Sequence, residues 1–318
     1  MSRHFVLPVI ALALAGPAGA VDWPLREPFA VMNTVSTLQF YGPKPGFHHG
    51  ADLKTRAGAK VYAPVEGKVG MGYYYPPRQT PYTYMVFIDA VDGFRWEFHH
   101  VDQNSITPEL RALAARGGSV KAGTYLAEVY DAPLTDPRIA PHVHVDVIDR
   151  AGVHHNPLKF FPRLADDQSP VVNALYLVDK DNRALAGDRL DFRISEVVAD
   201  VIDFIPGSPL GDTVKRLELR AGEIVVKIID FDRLPEKDYL KGVADVYKIE
   251  PIRLPDGSEL TNQVELDRPR KFLYRFPFDG AMVPTGTKTL VLTLEVLDFY
   301  GNRSVFTSRL SAGQSPNL

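Results

Sequence analysis

Apolar and polar residues alternate through much of this chain. The clearest case is His142-Val143-His144-Val145-Asp146-Val147, where the valines hold one parity and His142, His144 and Asp146 the other. That is the signature of a strand with one face packed inward. Short β-prone runs, Lys60 to Val65 and Lys68 to Tyr73, are separated by Glu66-Gly67, and Tyr84 to Ala90 and Phe94 to His100 flank the hairpin signal Asp92-Gly93. A further strand is expected over Val120 to Tyr130. One helix is predicted after Thr107: Thr107 can cap it, Pro108 suits its first position, Leu110, Leu113 and Ala114 form its stripe, and Gly117-Gly118 ends it.

The second half is again strand-rich. Ala174 to Val178, Arg189 to Val197, Arg216 to Ile229, Val243 to Leu254, Lys271 to Phe276 and Leu290 to Phe299 read as strands, with turns such as Pro255-Asp256-Gly257 and Gly301-Asn302 between them. The expected fold class is therefore mainly β, with an immunoglobulin-like antiparallel sandwich at the C-terminal end. Asp166 to Pro170 is polar and proline-terminated and reads as a linker. The division expected is a signal peptide over 1–20, a first domain over 21–165 and a second over 166–318.

The leader follows from Arg3 and His4, the apolar run Phe5 to Ala15, and the small-residue cleavage site Ala18-Gly19-Ala20. The apolar run is too short to span a bilayer, which takes about 20 residues. Export across an inner membrane is expected, with the periplasm as destination and release outside the cell as the alternative. No transmembrane segment is expected after the leader is removed.

Lys and Arg total 36 and Asp and Glu 39, a net charge of −3 with the basic residues scattered. This speaks against a nucleic-acid partner. The chain has no cysteine, so any metal site must use His, Asp or Glu. Histidine is unevenly placed: after His4 it occurs at 48, 49, 99, 100, 142, 144, 154 and 155, and nowhere later. Imidazole chemistry belongs to the first half.

Three segments carry that chemistry. In His48-His49-Gly50-Ala51-Asp52, His48 and Asp52 share a parity, and Gly50 permits a bend or close packing. In His142-Val143-His144 both rings face one side of a strand. In Arg95-Trp96-Glu97-Phe98-His99-His100, parity sets His100 with Phe94, Trp96 and Phe98, and His99 with Arg95 and Glu97; parity does not choose between the two histidines. His154 and His155 precede Asn156-Pro157 and read as exposed loop residues. The aromatic run Tyr73-Tyr74-Tyr75-Pro76-Pro77 suits either a groove wall or a packed loop. Asp230-Phe231-Asp232 reads as a solvated turn, with calcium binding as the alternative.

In order and spacing, these segments resemble the lysostaphin/LytM-type zinc metallopeptidases. The family pattern H-x-G-x-D, Y-x-H-L-like, H-x-H is met by His48-His49-Gly50-Ala51-Asp52, Phe98-His99-His100-Val101 and His142-Val143-His144. Tyr62-Ala63-Pro64-Val65-Glu66-Gly67-Lys68-Val69, Val120-Lys121-Ala122-Gly123 and Asn156-Pro157 resemble its connecting pieces. The resemblance spans residues 30–162. It implies an antiparallel sheet with one zinc ion per chain in a narrow groove, held by His48, Asp52 and His144. It also implies catalytic roles for His100 and His142, with family register selecting His100 over His99. The substrate implied is the peptide part of bacterial peptidoglycan. Two departures stand out. The segment before His142, Asp131 to Pro141, has three prolines and no glycine, where the family has a Gly-rich turn. Val143, Val145 and Asp146 replace Leu, Phe and Glu. The competing readings are a binding or regulatory module that kept the fold, and a zinc hydrolase of other proteins. The C-terminal half, without His, is expected to serve structure, substrate positioning or a partner not identified by the sequence.

Overall fold

The structure is a computed structural model. It describes residues 21–312 except 42, 76–78, 133–138, 188, 191–192, 206–210, 236–238, 266–268, 280–282 and 284–286. The expected leader, Pro76-Pro77 and most of the proline-rich segment before His142 lie outside the described residues.

The chain is mainly β and its sheets are antiparallel, apart from one short parallel pairing of Arg189–Leu190 with the final strand. A nine-stranded sheet carries the histidines. Its order is Ala30–Asn33, Ala51–Lys54, His142–Ile148, Arg95–His99, Tyr84–Ala90, Gly67–Tyr73 and Ser119–Val120, with Val153–His155 added beside His142–Ile148. Alternation works as the sequence predicts. Val143, Val145 and Val147 are fully buried in a core with Trp96, Phe98, Val86 and Ile88. The opposite parity faces the site. The helix runs Pro108–Ala115, and Thr107 Oγ1 accepts from the Leu110 amide at 3.2 Å.

The C-terminal half builds a second core between two sheets. One holds Val171–Asp179, Ile194–Ile202 and Phe272–Pro277; the other holds Arg216–Ala221, Ile224–Asp230, Thr289–Leu297 and Arg303–Ala312. Val197, Ala199, Val201, Phe272, Tyr274 and Phe276 from the first meet Leu217, Leu219, Leu292, Leu294, Val296 and Leu310 from the second.

Four expected strands differ. Arg189 to Val197 gives Arg189–Leu190 and Ile194–Ile202, which belong to different sheets. Val120 to Tyr130 is split into Ser119–Val120 and Tyr125–Val129, because Gly123 takes a φ of 81° and turns the chain. Arg216 to Ile229 is a hairpin folded at Gly222, φ 58°. Val243 to Leu254 is a short helix, Val243–Val246, followed by Ile252–Arg253. Left-handed backbone at a glycine breaks a run that β-propensity alone continues. Asp230-Phe231-Asp232 is the solvated turn: Asp230 caps the Asp232 amide at 2.9 Å and Asp232 pairs with Lys215 at 3.2 Å.

The two cores interlock next to the histidines. Val35, Leu38 and Phe47, which flank the first histidine segment, pack into the second core with Phe231 and Tyr247. In return Ile205 and Tyr300 pack into the first. Val153–His155 also pairs with Arg233–Pro235, so the nine-stranded sheet crosses between the halves.

Candidate metal centre

Register brings the three segments together. His144 stands opposite Asp52 on one neighbouring strand and opposite His99 on the other. Asn33 is paired with Asp52 on the edge beyond. His48 lies just before the Ala51–Lys54 strand, with its ring folded back over Asp52. Nε2 of His48, Oδ1 of Asp52 and Nδ1 of His144 converge: the separations are 3.2 Å from His48 to Asp52, 2.9 Å from His48 to His144, and 2.8 Å from His144 to Asp52. Tetrahedral bonds of 2.0–2.1 Å set ligand atoms about 3.3 Å apart. Two imidazole nitrogens and one carboxylate oxygen at nearly that spacing fit a small borderline cation such as zinc.

The ring tautomers agree with this. His48 Nδ1 donates to the Thr34 carbonyl at 3.0 Å, which leaves the Nε2 lone pair for the centre. His144 Nε2 donates to Asp146 Oδ2 at 3.1 Å, which leaves Nδ1. The Asn33 amide donates to Asp52 Oδ2 and so turns Oδ1 inward.

His100 reaches the same space by a backbone device. The strand ends at His99, and His100 takes a φ of 60°, a left-handed conformation uncommon outside glycine. That break in alternation turns its ring away from the side of Trp96 and Phe98 and into the cavity. Its Nδ1 donates to the Tyr82 carbonyl at 2.8 Å, and its ring stacks on Tyr82 with centroids 3.9 Å apart. His142 Nδ1 donates to the Ala140 carbonyl at 2.8 Å, and its Nε2 is 3.7 Å from Asp52 Oδ1. The His100 and His142 rings are 4.7 Å apart. Each presents an unprotonated Nε2. The cavity they share holds about 320 Å³ and is lined by Met32, Asn33, Gln39, His48, His49, Asp52, Tyr74, Tyr82, His99, His100, Ile139, His142 and His144.

Electrostatics follow burial and charge. Burial, reinforced by His142 and His99, holds His100 well below the usual imidazole value. Burial also lowers His142, with Asp52 partly opposing it. Burial raises Asp52, but His48, His142 and the hydrogen bond from His144 outweigh it and hold the carboxyl well below its usual range. Burial lowers His144, yet Asp146 and Asp52 together overcome this and bring the ring up to about 10.

Behind the ligands lies a second layer. Asp146 is 1% exposed; besides His144 it accepts from His49 Nδ1 at 3.0 Å and His154 Nδ1 at 3.1 Å. His154 is therefore not the exposed loop residue expected from sequence. Its strand is sandwiched between His142–Ile148 and Arg233–Pro235, and only 6% of the residue is exposed. His155 is partly exposed and bonds Asp149 at 2.9 Å. His99 bonds Glu97 at 3.0 Å and stacks on Tyr74, 4.5 Å between centroids. Of the aromatic run, Tyr74 lines the cavity, while Tyr73 bonds Gln103 at 3.3 Å. Gly50 is required by close approach: a Cβ there would lie 2.3 Å from the Val145 carbonyl and 2.7 Å from His144 Nε2.

Residues 46–157 match the family model described as peptidase family M23. This stretch is a LytM-type M23 domain. The resemblance read from the three histidine segments is borne out. Two solved structures align with the chain. The SpoIIQ–SpoIIIAH pore-forming complex is 18% identical over 45% of this chain and 90% of that one, with a TM-score of 0.33. A mutant of the catalytic domain of EnpA, a prophage-encoded M23 protein from Enterococcus faecalis, is 21% identical over 41% and 90%, with a TM-score of 0.30. No curated protein matches the chain. Among the described residues, no helix is long and apolar enough to cross a membrane. The M23 domain contains all five site positions read from sequence, His48, Asp52, His100, His142 and His144, and the fold gathers them around one cavity.

Proposed function

We propose that this protein is a zinc metalloendopeptidase that hydrolyses peptide cross-links of bacterial peptidoglycan. One observation carries the reading. Each of His48, His100, His142 and His144 is tied through one ring nitrogen to a fixed oxygen acceptor and offers the other to a single cavity, beside Asp52. A merely structural cluster has no need for every free lone pair to share one space.

In this reading His48 Nε2, Asp52 Oδ1 and His144 Nδ1 hold one zinc ion per chain. Three protein ligands suit a catalytic rather than a structural site. Bound zinc supplies Lewis acidity and lowers the pKa of water towards about 7. His100 and His142 do the proton work. Their Nε2 atoms accept a proton from the attacking water and return it to the leaving amine. Burial keeps both rings neutral and ready as acceptors. The Tyr82 and Ala140 carbonyls fix their tautomers. Tyr74 and Tyr82 form aromatic walls for an extended peptide.

We further propose a leader over 1–20, a two-domain division at 165/166 with an immunoglobulin-like second domain, and a periplasmic location. The second reading is a non-catalytic LytM-type module that engages cell-wall hydrolases. A complete set of donors favours the enzyme. Zinc content separates the two when measured with and without His144→Ala. The enzyme reading expects about one zinc per chain and loss of both metal and hydrolysis in the variant. A folded wild-type protein that takes up no zinc supports the module.

A further inference from the structure

Away from the histidines, three carboxylates meet where the two cores join. One oxygen from each of Asp166, Asp203 and Asp298 lies within 4.8 Å of the others. Asp166 belongs to the segment connecting the two halves. Asp203 follows the Ile194–Ile202 strand, and Asp298 follows Thr289–Leu297. Asp203 and Asp298 are 0% exposed, and Asp166 is partly buried.

Three of the six carboxylate oxygens lack the partners that buried carboxylates need, while Asp166 Oδ1 accepts from the Gln168 amide at 3.0 Å. Both oxygens of Asp203 and Oδ2 of Asp166 are buried without a hydrogen-bond donor among the described residues. The Phe204 amide is near Asp203 but short of hydrogen-bond geometry. Arg163 acts on Asp166 from a distance, and no salt bridge reaches the three carboxylates among the described residues. Asp298 is held by its own turn: Oδ1 accepts from the Tyr300 amide at 2.8 Å and the Asn302 amide at 2.7 Å, and Oδ2 accepts from Asn302 Nδ2 at 2.7 Å. Oδ2 keeps a lone pair.

A second observation points to the same space. Tyr300 is 4% exposed and its hydroxyl is buried without a partner. Burial, and then the carboxylates of Asp166, Asp212, Asp203 and Asp298, push that hydroxyl up, so it lies within the field of the cluster. An orphaned phenol oxygen and an orphaned, wholly buried carboxylate beside two more carboxylates are costly unless a cation joins them. Every donor is oxygen, and burial together with the neighbouring carboxylates of Asp298 and Asp166 pushes the Asp203 carboxyl up to about 8. That chemistry suits a hard divalent cation of the calcium class, not a nitrogen-seeking metal.

We propose that Asp166, Asp203 and Asp298 form a second metal site, distinct from the histidine cavity, that binds one calcium ion. The ion ties the connecting segment to two strands of the second core. Ile205 and Tyr300, each two residues after one of the ligands, insert into the first core. The bound ion therefore fixes how the second half sits against the M23 domain.

The test is a calcium titration of the full chain, stripped of metal and reloaded with zinc, followed by calorimetry and thermal melting. One saturable site is expected, with a rise in Tm of about 5 °C at a hundredfold excess over Kd. Asp203→Asn should abolish the response without lowering the calcium-free Tm, because it removes the orphaned charge. Asp166→Asn, on the partly exposed connecting segment, should weaken binding at least tenfold (an order-of-magnitude expectation). His144→Ala should leave the calcium response unchanged. The proposal is overturned if wild type shows no saturable binding, if Asp203→Asn binds as wild type does, or if His144→Ala loses the response. A raised Tm in Asp203→Asn with no calcium response in wild type would mean that a proton, not a cation, neutralises Asp203.

Discussion

The hydroxyl of Tyr247, deep in the second core, donates to the carbonyl of Ser36 at 2.9 Å. Ser36 belongs to the turn whose Thr34 carbonyl holds His48 Nδ1. The same turn is gripped by Asp212, which accepts from Thr37 Oγ1 at 2.6 Å, and Arg270 donates to the Met32 carbonyl at 3.1 Å. A metal-ligand candidate in the first half is thus oriented by side chains from the second. Tyr247→Phe should cost about 1–3 kcal/mol, the price of an orphaned buried acceptor, and weaken zinc binding. Urea unfolding and a zinc competition assay check this. Unchanged zinc affinity with reduced stability would confine Tyr247 to packing.

Asp146 holds His144 from behind and also receives His49 and His154. Asp146→Asn keeps the size but offers a single acceptor oxygen. Zinc affinity should drop roughly 10–100-fold, as for other partners of metal-bound histidine. Isothermal titration with zinc reads this directly. An affinity within about twofold of wild type would show that His144 is oriented without Asp146.

Much of this site was legible from sequence because β alternation is a simple rule. His142 and His144 share a face, as parity says, and their cross-strand partners follow from register. His100 was not legible from parity, since a left-handed residue ends the alternation there; only family register selected it. Asn33, Thr34 and Tyr82 were invisible. They act by main-chain carbonyls or by cross-strand position, which leave no mark in residue type. His154 was misread because its cover, Arg233–Pro235, comes from the other half of the chain. The interlocked cores were missed for the same reason: periodicity reports that Leu38 and Phe47 are inward, not whose interior they enter.

Gly50 gives a sharp steric test. Its position would put any Cβ against the Val145 carbonyl and His144 Nε2. Gly50→Ala should destabilise by roughly 1–3 kcal/mol, as overpacking does, and displace His144 enough to lose most zinc. Thermal melting with metal analysis decides it. Wild-type stability and zinc content would contradict the close packing described.

Asp200 predicts a pH effect unrelated to the site. It is buried, and burial raises its carboxyl above the usual value despite Asn173 at 3.1 Å and Lys271 at 3.9 Å. A folded pKa above the unfolded one contributes stability that is complete below the ordinary carboxylate range. That stability is lost as pH rises through the raised value. Asp200→Asn should therefore flatten the decline in stability with rising pH just above that range. Denaturant midpoints across the acid range test it. A decline as steep as wild type would assign it to other groups.

The central claim concerns the bond that is cut. Purified sacculi incubated with the protein should lose cross-linked muropeptide dimers and gain the matching monomers by mass. A chelator should stop this. His100→Ala should stop it while keeping its zinc, and His99→Ala should remain largely active. No change in the muropeptide profile from a folded, zinc-loaded wild-type protein would contradict the endopeptidase account.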